Sequence, residues 1–114
     1  MDPVSAILIT KALDGLYARS QATAQNVANA NSPGFRPVRV NFEEALRAAA
    51  RQGPEALRSV GATVGQVPAG AAGGEMRLDL ELATASETGL RYAALLDLLG
   101  RQLQISRTAI RGGQ

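Results

Sequence analysis

Apolar and small residues recur at helical spacing in two long stretches, one at each end of the chain. Near the start, Ala6, Ile9, Leu13, Leu16, Ser20, Thr23, Val27 and Ala30 follow one another at alternating steps of three and four. Near the end, Leu82, Ala85, Gly89, Tyr92, Leu96, Leu99, Leu103, Ser106 and Ile110 do the same. Such spacing keeps one stripe of a helix turned toward one partner, as in paired helices. Ser20, Thr23, Gly89 and Ser106 interrupt the stripes, so the expected seams are close-packed rather than strongly apolar. The first stretch predicts a helix over 3–31. Asp2 is placed to cap it, Pro3 fits the first helical position, and Ser32, which precedes Pro33, is pushed out of helical geometry. The second predicts a helix over 79–111, with Asp79 as its cap. Glu81 and Glu87 lie near its start and Arg101, Arg107 and Arg111 near its end, in accord with the helix dipole. Gly112-Gly113 is expected to stop it.

Between these stretches the pattern breaks. Residues 32–40 read as a Pro-Gly turn, and 41–52 as a short helix capped by Asn41, acidic at Glu43 and Glu44 and stopped by Gly53-Pro54. Residues 53–78 read as a flexible segment, since Gly53 to Glu75 holds six glycines and two prolines and little that could build a core. The expected architecture is one all-α domain over 1–114. Its two terminal helices pair as an antiparallel hairpin or coiled coil. Ile9, Leu13, Leu16 and Val27 meet Leu82, Tyr92, Leu96, Leu99, Leu103 and Ile110 along the seam.

Composition narrows the chemistry. The chain has 114 residues, 12 basic and 10 acidic, for a net charge of +2; eleven of the basic residues are arginine and one is Lys11. That surplus is too small to mark a nucleic-acid-binding protein, and a small basic helical module for nucleic acid or an acidic partner is the weaker alternative. Cysteine and histidine are absent, which removes disulfides, Cys/His metal sites and the usual base near neutral pH. No paired carboxylates or phosphate-cradling loop suggest catalysis, and Tyr92, inside an apolar stripe, reads as core. The expectation is a non-enzymatic protein without catalytic, metal or cofactor-binding residues, cofactor or small-molecule substrate. No apolar run is long enough to span a bilayer, and the start of the chain has no secretory h-region.

One stretch is more specific: Gln25-Asn26-Val27-Ala28-Asn29-Ala30-Asn31-Ser32-Pro33-Gly34-Phe35. Asparagine is a poor helix-interior residue because its amide competes for backbone partners, and capping needs only one. Pro33-Gly34 fits the centre of a type II turn. Two readings stand: a well-capped helix end, or amides that bond a neighbouring subunit.

This stretch resembles the N-terminal signature of the flagellar rod and hook family, whose pattern is roughly Ala-Asn-Ile-Ala-Asn-Ala-Asp/Asn-Thr-Pro-Gly-Tyr/Phe, with Ser32 here in place of threonine. The chain is too short for the extra β-rich domain of the hook and distal rod members, which leaves the short proximal rod proteins. Val40-Asn41-Phe42, Leu90-Arg91-Tyr92 and Thr108-Ala109-Ile110 extend the similarity over about the first 50 and last 35 residues. The asparagine common before the C-terminal helix is absent around Gly74 to Leu78, and Gly89 stands where Asn or Ser is usual. The resemblance implies a structural subunit of the bacterial basal body. Such a subunit is exported from the cytoplasm by the flagellar type III apparatus without a cleaved signal and polymerises in the periplasmic space into the torque-transmitting rod. Its implied partners are copies of itself, other rod subunits and the adaptor at the export gate and MS ring. Asn26, Asn29, Asn31, Ser32, Pro33, Gly34 and Phe35 would make inter-subunit contacts. Leu8, Leu90, Leu95, Leu98 and Ile105 would be covered by neighbours.

Overall fold

A computed structural model describes residues 1–68, 70, 71 and 74–112. Helix α1 spans Pro3–Ala28, strand β1 Val38–Asn41, helix α2 Glu43–Ala50, helix α3 Pro54–Arg58, strand β2 Thr63–Gln66 and helix α4 Leu78–Gly112. The expected all-α hairpin is therefore corrected in two respects. A two-stranded antiparallel sheet forms, with Val38 opposite Gln66 and Asn41 opposite Thr63. The core, moreover, gathers where α1 meets β1, α2 and α3, around Leu16, Val38, Val40, Phe42, Leu46 and Leu57, rather than along a seam between the terminal helices.

Local chemistry accounts for the elements. The Asp2 carboxylate accepts the Ser5 N–H at 2.9 Å and starts α1, with Pro3 in the first turn. Asn29 closes it: its backbone N–H and its side-chain amide both donate to the Gln25 carbonyl, at 3.1 and 2.9 Å. Ser32 to Phe35 then make a turn closed by the Phe35 N–H on the Ser32 carbonyl, and Gly34 supplies its positive φ of 73°. Alternation in Val38-Arg39-Val40-Asn41 puts the two valines into the core and leaves Asn41 exposed, the period-2 signature of a strand. Asn41 is thus the last strand residue and not the cap of α2; Phe42 holds the cap position without a side-chain cap bond. The expected flexible segment 53–78 contains α3, opened by Gly53 and Pro54, and β2. Leu57, fully buried in α3, anchors it, and Lys11 of α1 donates to the Val60 carbonyl at 2.9 Å. Part of the glycine-rich run up to Glu75, and Gly113 of the expected stop, lie outside the described residues, and Gly112 is still helical.

Helix α4 packs against α1 with a different stripe from the one its leucines predict. Its buried and half-buried positions are Glu81, Thr84, Thr88, Tyr92, Leu95, Leu99 and Gln102. Of the expected α4 seam, Tyr92 and Leu99 are half-buried, whereas Leu82, Leu96, Leu103 and Ile110 are exposed. On α1, Ile9, Leu13 and Leu16 are buried and Val27 half-buried. The rotation follows from Glu81: once its carboxylate is committed to Asn26 near the end of α1 and to Arg39 of β1, polar residues at 84 and 88 must follow it inward.

Candidate functional site

Two features could carry function: a polar junction at which three elements meet, and the uncovered apolar side chains of α4. The junction is built on β1. Asn26, completely buried on α1, accepts the Val38 N–H at 2.8 Å and donates to the Val38 carbonyl at 3.0 Å. A primary amide here replaces the peptide group of a neighbouring strand and closes the β1 edge. The same amide nitrogen donates to Glu81 Oε2 at 3.0 Å, and Arg39 from β1 donates to Glu81 Oε1 at 2.6 Å. Glu81 is 2% exposed, so burial of this carboxylate is compensated by one amide and one guanidinium. Among the described side chains no buried polar atom lacks a partner.

A second ion pair lies one stretch along β1. Arg19 grips Glu43 with both terminal nitrogens at 2.7 Å, donates to the Val40 carbonyl at 2.8 Å, and stacks 4.8 Å above the Phe42 ring. Arg91 of α4 reaches Glu43 at 3.8 Å. The Arg19 hydrogen bonds outweigh burial and hold the Glu43 carboxyl down from 4.5 to about 2. A depressed folded-state pKa contributes stability that is complete above about pH 4.5 and disappears as pH falls toward 2. Glu43→Gln should therefore lose stability at neutral pH and lose the sensitivity of its melting temperature to acid over that window; an acid limb identical to that of the parent would place the sensitivity elsewhere.

An open pocket of about 510 Å³ beside the strands is walled by Arg19, Thr23, Arg39 and Thr84 among others. Both arginines are already paired with carboxylates, and the Thr23 hydroxyl donates to the Arg19 carbonyl at 2.8 Å. The two guanidinium groups and the Thr23 hydroxyl of this wall are thus spent on the fold. No group of three or more metal-ligating side chains occurs among the described residues, and no described helix is long and apolar enough to cross a membrane.

The motif at the end of α1 divides. Asn26 is enclosed by its own chain, so an inter-subunit bond from its amide is corrected to an intrachain one. Asn29 is spent on capping and accepts the Ser32 hydroxyl at 3.1 Å. Asn31, Ser32, Pro33 and Gly34 are exposed, and Phe35 is half-buried against the core. Arg19, Arg39, Glu43 and Glu81 were not singled out by sequence reasoning as site residues. The signal for Glu81 was its helical spacing to Thr84 and Thr88; for Arg19 no local signal exists, because its partners come from another element.

The apolar side chains of α4 form the second feature. Leu90 and Ile105 are 74% and 60% exposed. Leu98 and Gln102 lie beside Met1, Asp2 and Ser5, so α4 has reached the start of α1 by residue 102. Residues 103–112 project beyond it, and all are exposed. Leu103 and Ile110 continue, at heptad spacing, the exposed row of Leu82 and Leu96 past the start of α1. In comparisons with known proteins, no family model matches the chain and no curated protein matches it.

Proposed function

We propose that this chain is a structural subunit of the bacterial flagellar basal body, the proximal rod protein FlgB, and that it polymerises with copies of itself and other rod subunits. On this reading it passes through the type III export apparatus, joins the adaptor at the base of the rod, and helps to carry motor torque through the periplasmic space. The observation that carries the assembly role is the row of exposed apolar side chains along α4, which runs on past the start of α1. Leu103 and Ile110, 54% and 69% exposed, carry the exposed row of Leu82 and Leu96 beyond the start of α1. Large apolar side chains left in this way mark an interaction surface, and each contributes about 1.5–3 kcal/mol when covered. The flagellar identity rests on the resemblance of the stretch from Gln25 to Phe35, whose exposed part, Asn31 to Gly34, forms a turn accessible to a neighbour. Gly89 and the missing asparagine around Gly74 to Leu78 make the related proximal rod protein FlgC the second reading.

No catalytic step is assigned. The work is mechanical, done by packed helices that resist twisting, and needs neither cofactor nor small-molecule substrate.

Exchanging Leu103 and Ile110 together for lysine tests this. Neither side chain supports the subunit's own core, so the purified variant should melt within a degree or two of the parent, as surface changes do. A flagellated strain lacking the corresponding gene should swim when given the parent sequence and stay non-motile, without rods in isolated basal bodies, when given the double variant. Failure of the parent sequence to restore rods in hosts lacking either proximal rod gene would overturn the flagellar reading. Normal swimming with the variant would overturn the role given to the α4 projection.

A further inference from the structure

The two strands differ in how their outer edges are closed. The Val67 N–H donates to the Pro37 carbonyl at 3.1 Å, and Val38 stands opposite Gln66. This phase makes Arg39 with Gly65, and Asn41 with Thr63, the pairs that exchange backbone bonds. The backbone groups of Val38 and Val40 then point away from β2, and those of Val64 and Gln66 away from β1. On the β1 side, Asn26 bonds both outward groups of Val38, and Arg19 bonds the carbonyl of Val40. On the β2 side, no described residue bonds the backbone of Val64 or Gln66 outside the ladder, and all four strand residues are exposed.

Open edges are ordinarily guarded by charge, proline or a bulge. Strand β2 has none of these: the sequence from Ser59 to Gly74 contains no charged residue, and its proline, Pro68, comes after the strand. One cation reaches the last residue of β2 from the side of β1. The Arg36 guanidinium reaches Gln66 Oε1 at 3.5 Å and has no carboxylate partner among the described residues.

We propose that β2 is a recognition edge for an extended, acidic peptide segment of another protein, which joins the sheet as a third strand. The N–H and C=O of Val64 and Gln66 supply the backbone bonds, an apolar side chain of the segment covers Val64, and a carboxylate meets Arg36. Strand addition takes affinity from main-chain bonds and selectivity from such side-chain positions. A second copy of this chain fits less well, because its own β2 brings no acidic group to Arg36.

The probe is a capped hexapeptide of alternating threonine and valine with one valine replaced by aspartate, titrated into the isotopically labelled full chain. Binding should shift the amide resonances of Val64 and Gln66 and slow their hydrogen exchange. Val64→Pro removes an outward donor and leaves the β1 ladder intact, as proline on an edge strand can. It should melt like the parent and weaken peptide binding by between about threefold and tenfold. Arg36→Gln should weaken the aspartate peptide and leave its asparagine counterpart unchanged. Three results would overturn the proposal: no response of the two amides to the peptide, unchanged binding by Val64→Pro, or protection of the same amides that rises with protein concentration alone, which would assign the edge to a second copy.

Discussion

Asn26→Ala is expected to lower the free energy of unfolding by about 2–4 kcal/mol, because each buried polar group left unpaired costs about 1–3 kcal/mol. The alanine leaves the Val38 N–H and carbonyl without the amide that bonds both, and takes from Glu81 one of its two partners. Because β1 is fastened to α1 through this side chain, the loss should also loosen the sheet. Urea denaturation gives the energy, and hydrogen exchange at Val38 gives the location. A loss below about 0.5 kcal/mol, smaller than an ordinary hydrogen bond, would mean that water replaces the amide and that the junction does not hold the strand in place. Asn26→Asp is the sharper companion, since it keeps the shape but turns a donor into a carboxylate facing Glu81. It should be no more stable than the alanine variant at neutral pH.

The second large effect comes from the smallest residue. Gly15 is buried in α1, and a Cβ there would lie 2.4 Å from Cγ of the Phe42 ring, a distance no methyl group tolerates. Alanine is ordinarily the better helix former by about 1 kcal/mol, so on propensity alone Gly15→Ala should stabilise. Here the sign reverses. The ring must move, together with the Arg19 guanidinium stacked above it, and overpacking of a filled core costs about 1–3 kcal/mol. The variant should melt at a lower temperature, and pairing it with Phe42→Leu should recover part of the loss, so that the two changes are non-additive. Additive costs would show that the contact between helix and ring is not what excludes the methyl.

These residues also show how far the sequence could be read. Both long helices and the N-terminal cap of α1 follow from local signals, Asp2-Pro3 among them; the C-terminal cap falls on Asn29, before the end at 31 that the sequence suggests. The α1 face was legible because Ile9, Leu13 and Leu16 are both apolar and inward. The α4 face was not, since its leucines lie on several sides and the inward row begins with Glu81, Thr84 and Thr88. A carboxylate and two threonines read as a solvated surface until an arginine from β1 and an amide from α1 are placed opposite them. The sheet was missed for a similar reason. Val38 to Asn41 is only four residues long, and what makes it a strand is the pairing of one edge with Thr63–Gln66 and the closure of the other by Asn26, neither of which has a local trace. The segment 53–78 looked featureless because its glycines outnumber its anchors; one leucine, Leu57, is enough to fix α3.

The projection of α4 beyond α1 has an energetic corollary. A free stretch of ten residues is too short to remain helical on its own strength, because an isolated helix of fewer than about 12–15 residues is marginal in water. Its last turns persist as an extension of a helix nucleated elsewhere, and they fray from the tip inward. Whatever surface receives this arm must therefore also supply the free energy that stops the fraying. Its grip per unit of buried area will be weaker than that of a rigid rod, and easier to undo and re-form.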